Sequence, residues 1–314
     1  MKKLLIIKLG YSETLENSIG RTVNLGDVLR TTFILHYFKD CHVSWLVDKK
    51  AIPLLEGNKY IDRILSYQEC ELSKLSDEGF DIVVNFEKTD DVLAFCCSLK
   101  AKDFYGFKEN GFNSNGKSFE KTQLLFMSES VENRKRNKDC WQKILAEAIG
   151  KEWKGEGYIL GYKPKSEKKY DIGFNWTTGK RWVNKSWPES YWKELEVLIN
   201  DQYSITWQQG FDNLYEYIDW INSCELIVTA DTLGLHIGLA LKKRVLGLFG
   251  PTSPHEFSFY KCGTYILPDS PYECTSCFNT ACNKTKYCME YIYPSRVKEI
   301  IDHEFKENIS SRKI

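Results

Sequence analysis

The chain has 314 residues, 42% of them hydrophobic, which is enough for a sizeable core and suits two domains better than one. Its 43 basic and 43 acidic residues cancel, so no overall field draws it to nucleic acid or to an anionic membrane, and any anion it binds must be held locally. Met1 to Leu9 is charged at its start but too briefly apolar for a signal peptide, and no stretch approaches the ~20 apolar residues of a membrane span, so a soluble, cytoplasmic protein is expected.

Leu4 to Leu9 is a short apolar run that ends at Gly10 and predicts a buried strand. After a polar loop, Gly26 to Lys39 places Val28, Leu29, Ile34 and Phe38 at helical spacings. Val43 to Val47 predicts a strand, Ala51 to Glu56 a short helix, Asp81 to Phe86 a strand, Asp90 to Leu99 a helix, and Lys138 to Ala148 another helix. Gly161 to Lys169, with Gly, Pro and a charge run, is the best linker candidate. The alternation then restarts. Strands are expected at Ile172 to Trp176, Ser204 to Trp207, Leu226 to Thr229 and Val245 to Phe249, and helices at Pro188 to Ile199, Asn213 to Ser223 and Thr232 to Leu241. Strands separated by helices imply parallel pairing through right-handed crossovers. The expectation is an α/β chain of two doubly wound parallel-sheet domains, 1–160 and 161–314, with a ligand cleft between the carboxyl ends of the sheets. The final helix is a candidate to cross back to the first domain.

Three constellations could carry chemistry. In Leu25-Gly26-Asp27-Val28-Leu29-Arg30-Thr31-Thr32, Asp27 falls near a helix start, where a carboxylate could act as a general base. On position alone, stabilising its own helix dipole is the commoner role. The run from Asn175 to Pro188 brings Thr177, Thr178, Gly179, Lys180, Arg181 and Lys185 into one strand-to-helix loop, which suits either a diphosphate or a plain basic surface. It is neither a Walker loop nor a GxGxxG fingerprint. Thr229 to His236 lies where a strand passes into a helix, so Asp231 could cap that helix and its first amides could hold phosphate. His236 follows one turn on, and alone reads as a core histidine.

Taken in order, these runs resemble glycosyltransferase family 9, which includes the ADP-heptose:lipopolysaccharide heptosyltransferases. The resemblance rests on Leu4 to Gly10 with Leu25 to Thr32, Trp45 to Asp48, Leu54 to Arg63, Lys185 to Pro188, Asp231 to His236 and Leu248 to Pro254. It implies a GT-B fold and an inverting, metal-independent transfer from a nucleotide sugar to a hydroxyl of a glycan, glycolipid or protein. Lipopolysaccharide biosynthesis is its usual setting, with the inner-membrane surface as a further candidate partner. By resemblance Asp27 matches the base. Thr177, Thr178 and Lys185, with Lys180 in the same loop, match residues holding the donor diphosphate and sugar. Asp231, Thr232, Leu233, Gly234 and His236 match the loop and helix start that bind donor sugar and phosphate. Two departures stand out: Tyr11 to Asn24 is an insertion before the Gly-Asp pair, and the usual Asp-Thr/Ser-Gly-Pro-x-His reads Asp231-Thr232-Leu233-Gly234-Leu235-His236. Two other readings compete, a sugar-nucleotide epimerase of the same fold and a non-catalytic binding or assembly subunit.

Of the eleven cysteines, seven are scattered in mostly apolar patterns and read as small core residues. Cys274, Cys277, Cys282 and Cys288 crowd into one segment, with a C-x2-C pair that could clamp structural zinc or iron. Some branches of the resembled family, including autotransporter heptosyltransferases that carry iron, have a similar cysteine-rich tail. Four cysteines leave no open position, so any such metal is expected to be structural rather than catalytic.

Overall fold

The computed structural model describes residues 1–11, 22–108, 111–114, 117–118, 123–179, 182–210 and 213–311. The chain divides into two compact units, Met1–Lys163 with His255–Ser258, and Pro164–Pro254 with Phe259–Ile314.

Unit 1 is built on a seven-stranded sheet of order β3-β2-β1-β4-β5-β6-β7. Its strands are β1 (Lys2–Ile7), β2 (Cys41–Val47), β3 (Arg63–Ser66), β4 (Phe80–Asn85), β5 (Ala101–Lys108), β6 (Gly111–Ser114) and β7 (Lys117–Ser118). The first five pair in parallel, and β5-β6-β7 close the edge antiparallel. Leu4 to Ile7 are fully buried, as a central parallel strand requires, since it is covered on both faces. The short or alternating strands β3 and β5 to β7 carry no continuous apolar run, so periodicity did not reveal them. The single helix expected over Gly26 to Lys39 is instead an α-helix, Leu25–Thr31, followed by a 3-10 helix, Thr32–Tyr37. The cause is local: Thr31 Oγ1 donates to the Asp27 carbonyl and Thr32 Oγ1 to the Leu29 carbonyl, and such back-bonding tightens the turn.

Unit 2 is a five-stranded, all-parallel sheet of order β12-β11-β10-β8-β9. Its strands are β8 (Tyr170–Asn175), β9 (Ile205–Trp207), β10 (Cys224–Ala230), β11 (Arg244–Leu248) and β12 (Gly263–Ile266). Helices Glu189–Ile199, Leu214–Asn222 and Leu233–Ala240 connect them. The core is aromatic: Phe174 meets Trp192 and Trp207 at ring distances of 5.1 and 5.2 Å. Cys224 fills a gap that only a glycine leaves, since a Cβ at Gly173 would lie 2.6 Å from its sulfur. Burial pushes the thiols of Cys96 and Cys224 up to about 12, so both serve as small core residues. The final helix, Pro294–Ser311, falls in unit 2, where Val297 and Ile301 are fully buried in the core. No helix among the described residues is long and apolar enough to cross a membrane.

Candidate active site

In each unit the polar residues gather where the parallel strands end. In unit 1, β1 gives way to Lys8 and a turn, Leu9-Gly10-Tyr11. Gly10 has φ of +92°, and a Cβ there would lie 2.7 Å from the Asn24 carbonyl oxygen, so the turn needs glycine. The turn is held by Glu87, which is completely buried just beyond the end of β4. Its Oε1 accepts the Leu9 and Gly10 N–H at 2.8 and 2.7 Å, and its Oε2 accepts the Tyr11 N–H at 3.2 Å. Asn85 fixes Glu87 in turn: its amide donates to the Glu87 and Phe107 carbonyls at 3.0 and 2.8 Å, and its oxygen accepts the Glu87 N–H at 2.9 Å.

Asp27 lies in the first turn of Leu25–Thr31 and is only 4% exposed. It is not the cap; Asn24 is, accepting the Asp27 N–H at 3.0 Å. The Asp27 side chain is therefore available for other contacts. Its Oδ1 accepts from Arg30 Nη2, and its Oδ2 stands 3.6 Å from Lys8 Nζ, outside hydrogen-bond distance. Lys8 Nζ also lies 3.2 Å from Glu87 Oε1. The desolvation cost of burying Asp27 is thus offset by two cations. Lys8, Asp27, Arg30, Lys88, Arg134 and Trp141 line one pocket, whose apolar wall includes Phe86 and Phe107. Burial first, then the like charges of Lys8 and Arg134, press the Lys88 ammonium down to about 8 against the pull of Glu87. Arg134 is anchored by a bidentate pair to Glu256 at 2.6 and 2.9 Å. The sequence had suggested Asp27 but not Lys8, Glu87, Lys88 or Arg134; the one available signal was a charged residue directly after a buried strand.

In unit 2 the centre is Asn175, the last residue of β8 and buried. Its amide donates to Thr229 Oγ1 and Thr232 Oγ1 at 2.7 and 2.8 Å, and its oxygen accepts from the Tyr217 hydroxyl at 2.7 Å. Gly234 permits this approach, because a Cβ there would sit 2.4 Å from Asn175 Nδ2. Lys185 reaches Asp231 Oδ2 at 2.8 Å and lies over the Trp182 ring at 4.5 Å. Burial would raise the Asp231 carboxyl, but Lys185, foremost, and His236 outweigh it and hold it below the ordinary carboxylate value. Asp231 does not cap the following helix; Thr232 occupies the cap position, and its hydroxyl is engaged by Asn175. Lys185, Asp231, Thr232 and Gly234 are thus brought together, with Leu233 opening the helix and His236 buried one turn on. Thr177 instead donates to Gln208 Oε1 at 2.8 Å, and Thr178 pairs with Ser186 at 2.5 Å. Lys180, and most of the Tyr11 to Asn24 insertion, lie outside the described residues.

The four clustered cysteines do not converge on one point. Among the described residues no three His, Cys, Asp or Glu side chains converge as metal ligands. The four thiols face different surroundings: Cys274 and Cys282 are exposed, whereas Cys277 and Cys288 are partly buried. Cys288 packs on the unit 2 core, and burial, then its neighbouring cysteines, push its thiol up to about 12. The segment braces its neighbour. The Asn279 carbonyl accepts from Asn184 Nδ2 at 2.7 Å, and Tyr287 donates to the Ser186 carbonyl at 2.8 Å, so both hold the loop that carries Lys185.

Residues 209–288 match the family described as Glycosyltransferase family 9 (heptosyltransferase). Among solved structures, the glycosyl transferase family 9 protein of Veillonella parvula DSM 2008 aligns over 98% of this chain and 97% of its own, with a TM-score of 0.67 and 16% identity. The E. coli heptosyltransferase WaaC with ADP-2-deoxy-2-fluoro heptose aligns over 96% and 99%, with a TM-score of 0.62 and 14% identity. The iron-containing dodecameric glycosyltransferase TibC of enterotoxigenic E. coli aligns over 98% of this chain and 76% of its own, with a TM-score of 0.59 and 13% identity. No curated protein matches in sequence. The two parallel-sheet units thus form the GT-B fold of these structures, and the class defined by fold and family match is a glycosyltransferase. The match to glycosyltransferase family 9 (heptosyltransferase) spans residues 209–288, about a quarter of the chain.

Proposed function

We propose that the chain is an inverting, metal-independent glycosyltransferase that moves a sugar, with heptose from ADP-heptose as the first candidate, to a hydroxyl of a cell-envelope glycan such as the lipopolysaccharide core. The observation that carries this reading is Asp27, a buried carboxylate on the wall of a pocket, with one oxygen tied to Arg30 and the other beyond hydrogen-bond distance of Lys8. An acceptor hydroxyl in that pocket gives its proton to Oδ2 as its oxygen attacks the anomeric carbon, a single displacement that inverts the sugar. The donor belongs to unit 2. Thr177, Thr178, Lys180 and Lys185 serve its diphosphate, while Asp231, Thr232, Leu233, Gly234 and His236 frame its sugar and phosphate. Charge developing on the departing diphosphate is met by Lys185 and by the first amides of Leu233–Ala240. This role has a requirement: Lys185 is already paired with Asp231, so the diphosphate has to share or displace that pair. The cationic lining of the unit 1 pocket favours an acidic glycan over a neutral protein hydroxyl, because an anion beside Lys88 relieves its crowding by Lys8 and Arg134. The setting this reading implies is the cytoplasm, at the inner-membrane surface.

The test is Asp27→Asn, assayed by ADP release from ADP-heptose with deacylated lipopolysaccharide core as acceptor. Turnover should fall by about 10²–10⁴-fold, with donor affinity by calorimetry nearly unchanged. Wild-type turnover in this variant sinks the base assignment. Formation of an epimerised nucleotide sugar from donor alone points to the epimerase reading instead.

A further inference from the structure

We infer that Glu87 is a positioning residue for Asp27: it holds Lys8 back from Asp27 Oδ2 and so leaves that oxygen able to accept a proton. The inference rests on the reading of Asp27 as base. Glu87 is the one completely buried charged residue among those described, and the mechanism above gives it no role. Three backbone N–H groups, at 2.7 to 3.2 Å, fix both its oxygens, and Asn85 fixes its backbone, so its carboxylate stays in one place. Lys8 lies between the two carboxylates, 3.2 Å from Glu87 and 3.6 Å from Asp27. Among the described residues, the charged groups around Asp27 are Lys8 from the end of β1, Arg30 from its own helix, Glu87 and Lys88 from beyond β4, and Arg134 from helix Val131–Arg136. Arg30 takes the other oxygen, so among the described residues Lys8 is the cation whose position bears on Oδ2. When Asp27 becomes protonated it loses its hold on Lys8, and Glu87 supplies the remaining charge partner. The proton passes from the acceptor hydroxyl to Asp27 Oδ2, and neither Lys8 nor Glu87 gains or loses one.

In Glu87→Gln the side-chain oxygen still accepts backbone N–H groups, but the charge that restrains Lys8 is gone. Turnover should fall at least tenfold with KM for ADP-heptose unchanged. The acid limb of the pH profile should move to lower pH, because a nearer cation favours the ionised base. Lys8→Met should move that limb to higher pH. In the Lys8→Met background, Glu87→Gln should cost no more than about threefold in turnover, the non-additivity expected of residues that act through each other. Where an acceptor turns over poorly, the Asp27 carboxyl-carbon line in protein labelled with carbon-13 aspartate, assigned by its loss in Asp27→Asn, gives the same midpoints. If Glu87→Gln fails to fold, the Lys8→Met midpoint alone decides, and an unmoved midpoint overturns the inference. Unchanged turnover and pH limb in Glu87→Gln, or an equal loss in both backgrounds, also overturns it. An inactive Asp27→Asn beside an unaffected Glu87→Gln removes only this inference; an active Asp27→Asn removes the base reading itself.

Discussion

Both units end an interior strand in a buried asparagine and set a lysine near an aspartate, but they couple these parts differently. Asn85, ending β4, spends its amide on backbone and so fixes Glu87, whereas Asn175, ending β8, engages the side chains of Thr229, Thr232 and Tyr217. Lys185 and Asp231 are in hydrogen-bond contact at 2.8 Å; Lys8 and Asp27 stand at 3.6 Å, with Glu87 as a second claimant on the lysine. Burial does not explain the contrast, since the side chains are 6% and 11% exposed in unit 2 and 7% and 6% in unit 1. A lysine fully committed to its carboxylate holds a structure and offers charge to an anion. A lysine shared between two carboxylates leaves one of them able to take a proton.

Removing each lysine should separate the two units. Lys185→Met strands a buried Asp231 and should cost about 3–5 kcal/mol of stability. Lys8→Met leaves Asp27 with Arg30 and Glu87 with its three N–H groups, so about 1–3 kcal/mol is expected. Thermal melting of the two variants checks the order, and an equal loss erases the distinction. The pH dependence sharpens it further. Asp231 lies below the ordinary carboxylate value in the folded chain, so in the intervening range the unfolded chain binds more protons and stability rises with pH. The Asp231 contribution is present above the ordinary carboxylate range and is lost on acidification. The gap between wild type and Lys185→Met should therefore close as the pH falls.

Lys88 gives the opposite test in unit 1. Its folded value of about 8 lies below the ordinary 10.5, so charging it in the folded chain costs about 3 kcal/mol at neutral pH. Lys88→Met should melt higher than wild type at pH 7. Between about 8 and 10.5 the unfolded chain again binds more protons, wild-type stability rises, and the advantage of the variant should shrink. A constant gap across that window contradicts the burial argument. With an acidic acceptor bound, the same substitution should weaken binding.

Much of the framework was legible because buried parallel strands are apolar runs: β1, β2, β4, β8, β10 and β11 were all anticipated to within a few residues. β3 (RILS) and β12 (GTYI) are four-residue edge strands with partly exposed sides, too short to show a period. Asp27, Lys185 and Asp231 were identifiable as candidates by resemblance, but their partners were not, because a salt bridge between residues 46 apart leaves no local pattern. Glu87 is the clearest miss. A carboxylate that caps three N–H groups of a turn 76 to 78 residues away has no sequence signature. The cysteine cluster shows the limit of spacing as a signal, since a spacing that suggests ligands does not reveal that Cys288 packs against the unit 2 core.

Substitutions around Asn175 then ask how much of unit 2 depends on that one amide. Gly234→Ala drives a Cβ to within 2.4 Å of Asn175 Nδ2 and 2.6 Å of the Tyr217 hydroxyl, so helix Leu233–Ala240 has to shift, costing about 1–3 kcal/mol. Because that helix opens the proposed phosphate site, ADP affinity should fall with stability.

Tyr217→Phe is gentler. It keeps the ring in its packing and removes only the hydroxyl that donates to Asn175 Oδ1 at 2.7 Å. The buried acceptor left behind costs about 1–2 kcal/mol. The amide can recover part of this by rotating so that its oxygen accepts from Thr229 or Thr232, but it then gives up a donor to the other threonine. Such a rotation disturbs Thr232 at the start of the helix while leaving Lys185 and Asp231 in contact. The expected signature is a small loss of ADP affinity with the acid dependence of melting intact. A loss of affinity as large as that of Lys185→Met would instead make the asparagine network, rather than the lysine–aspartate pair, the main determinant of donor binding.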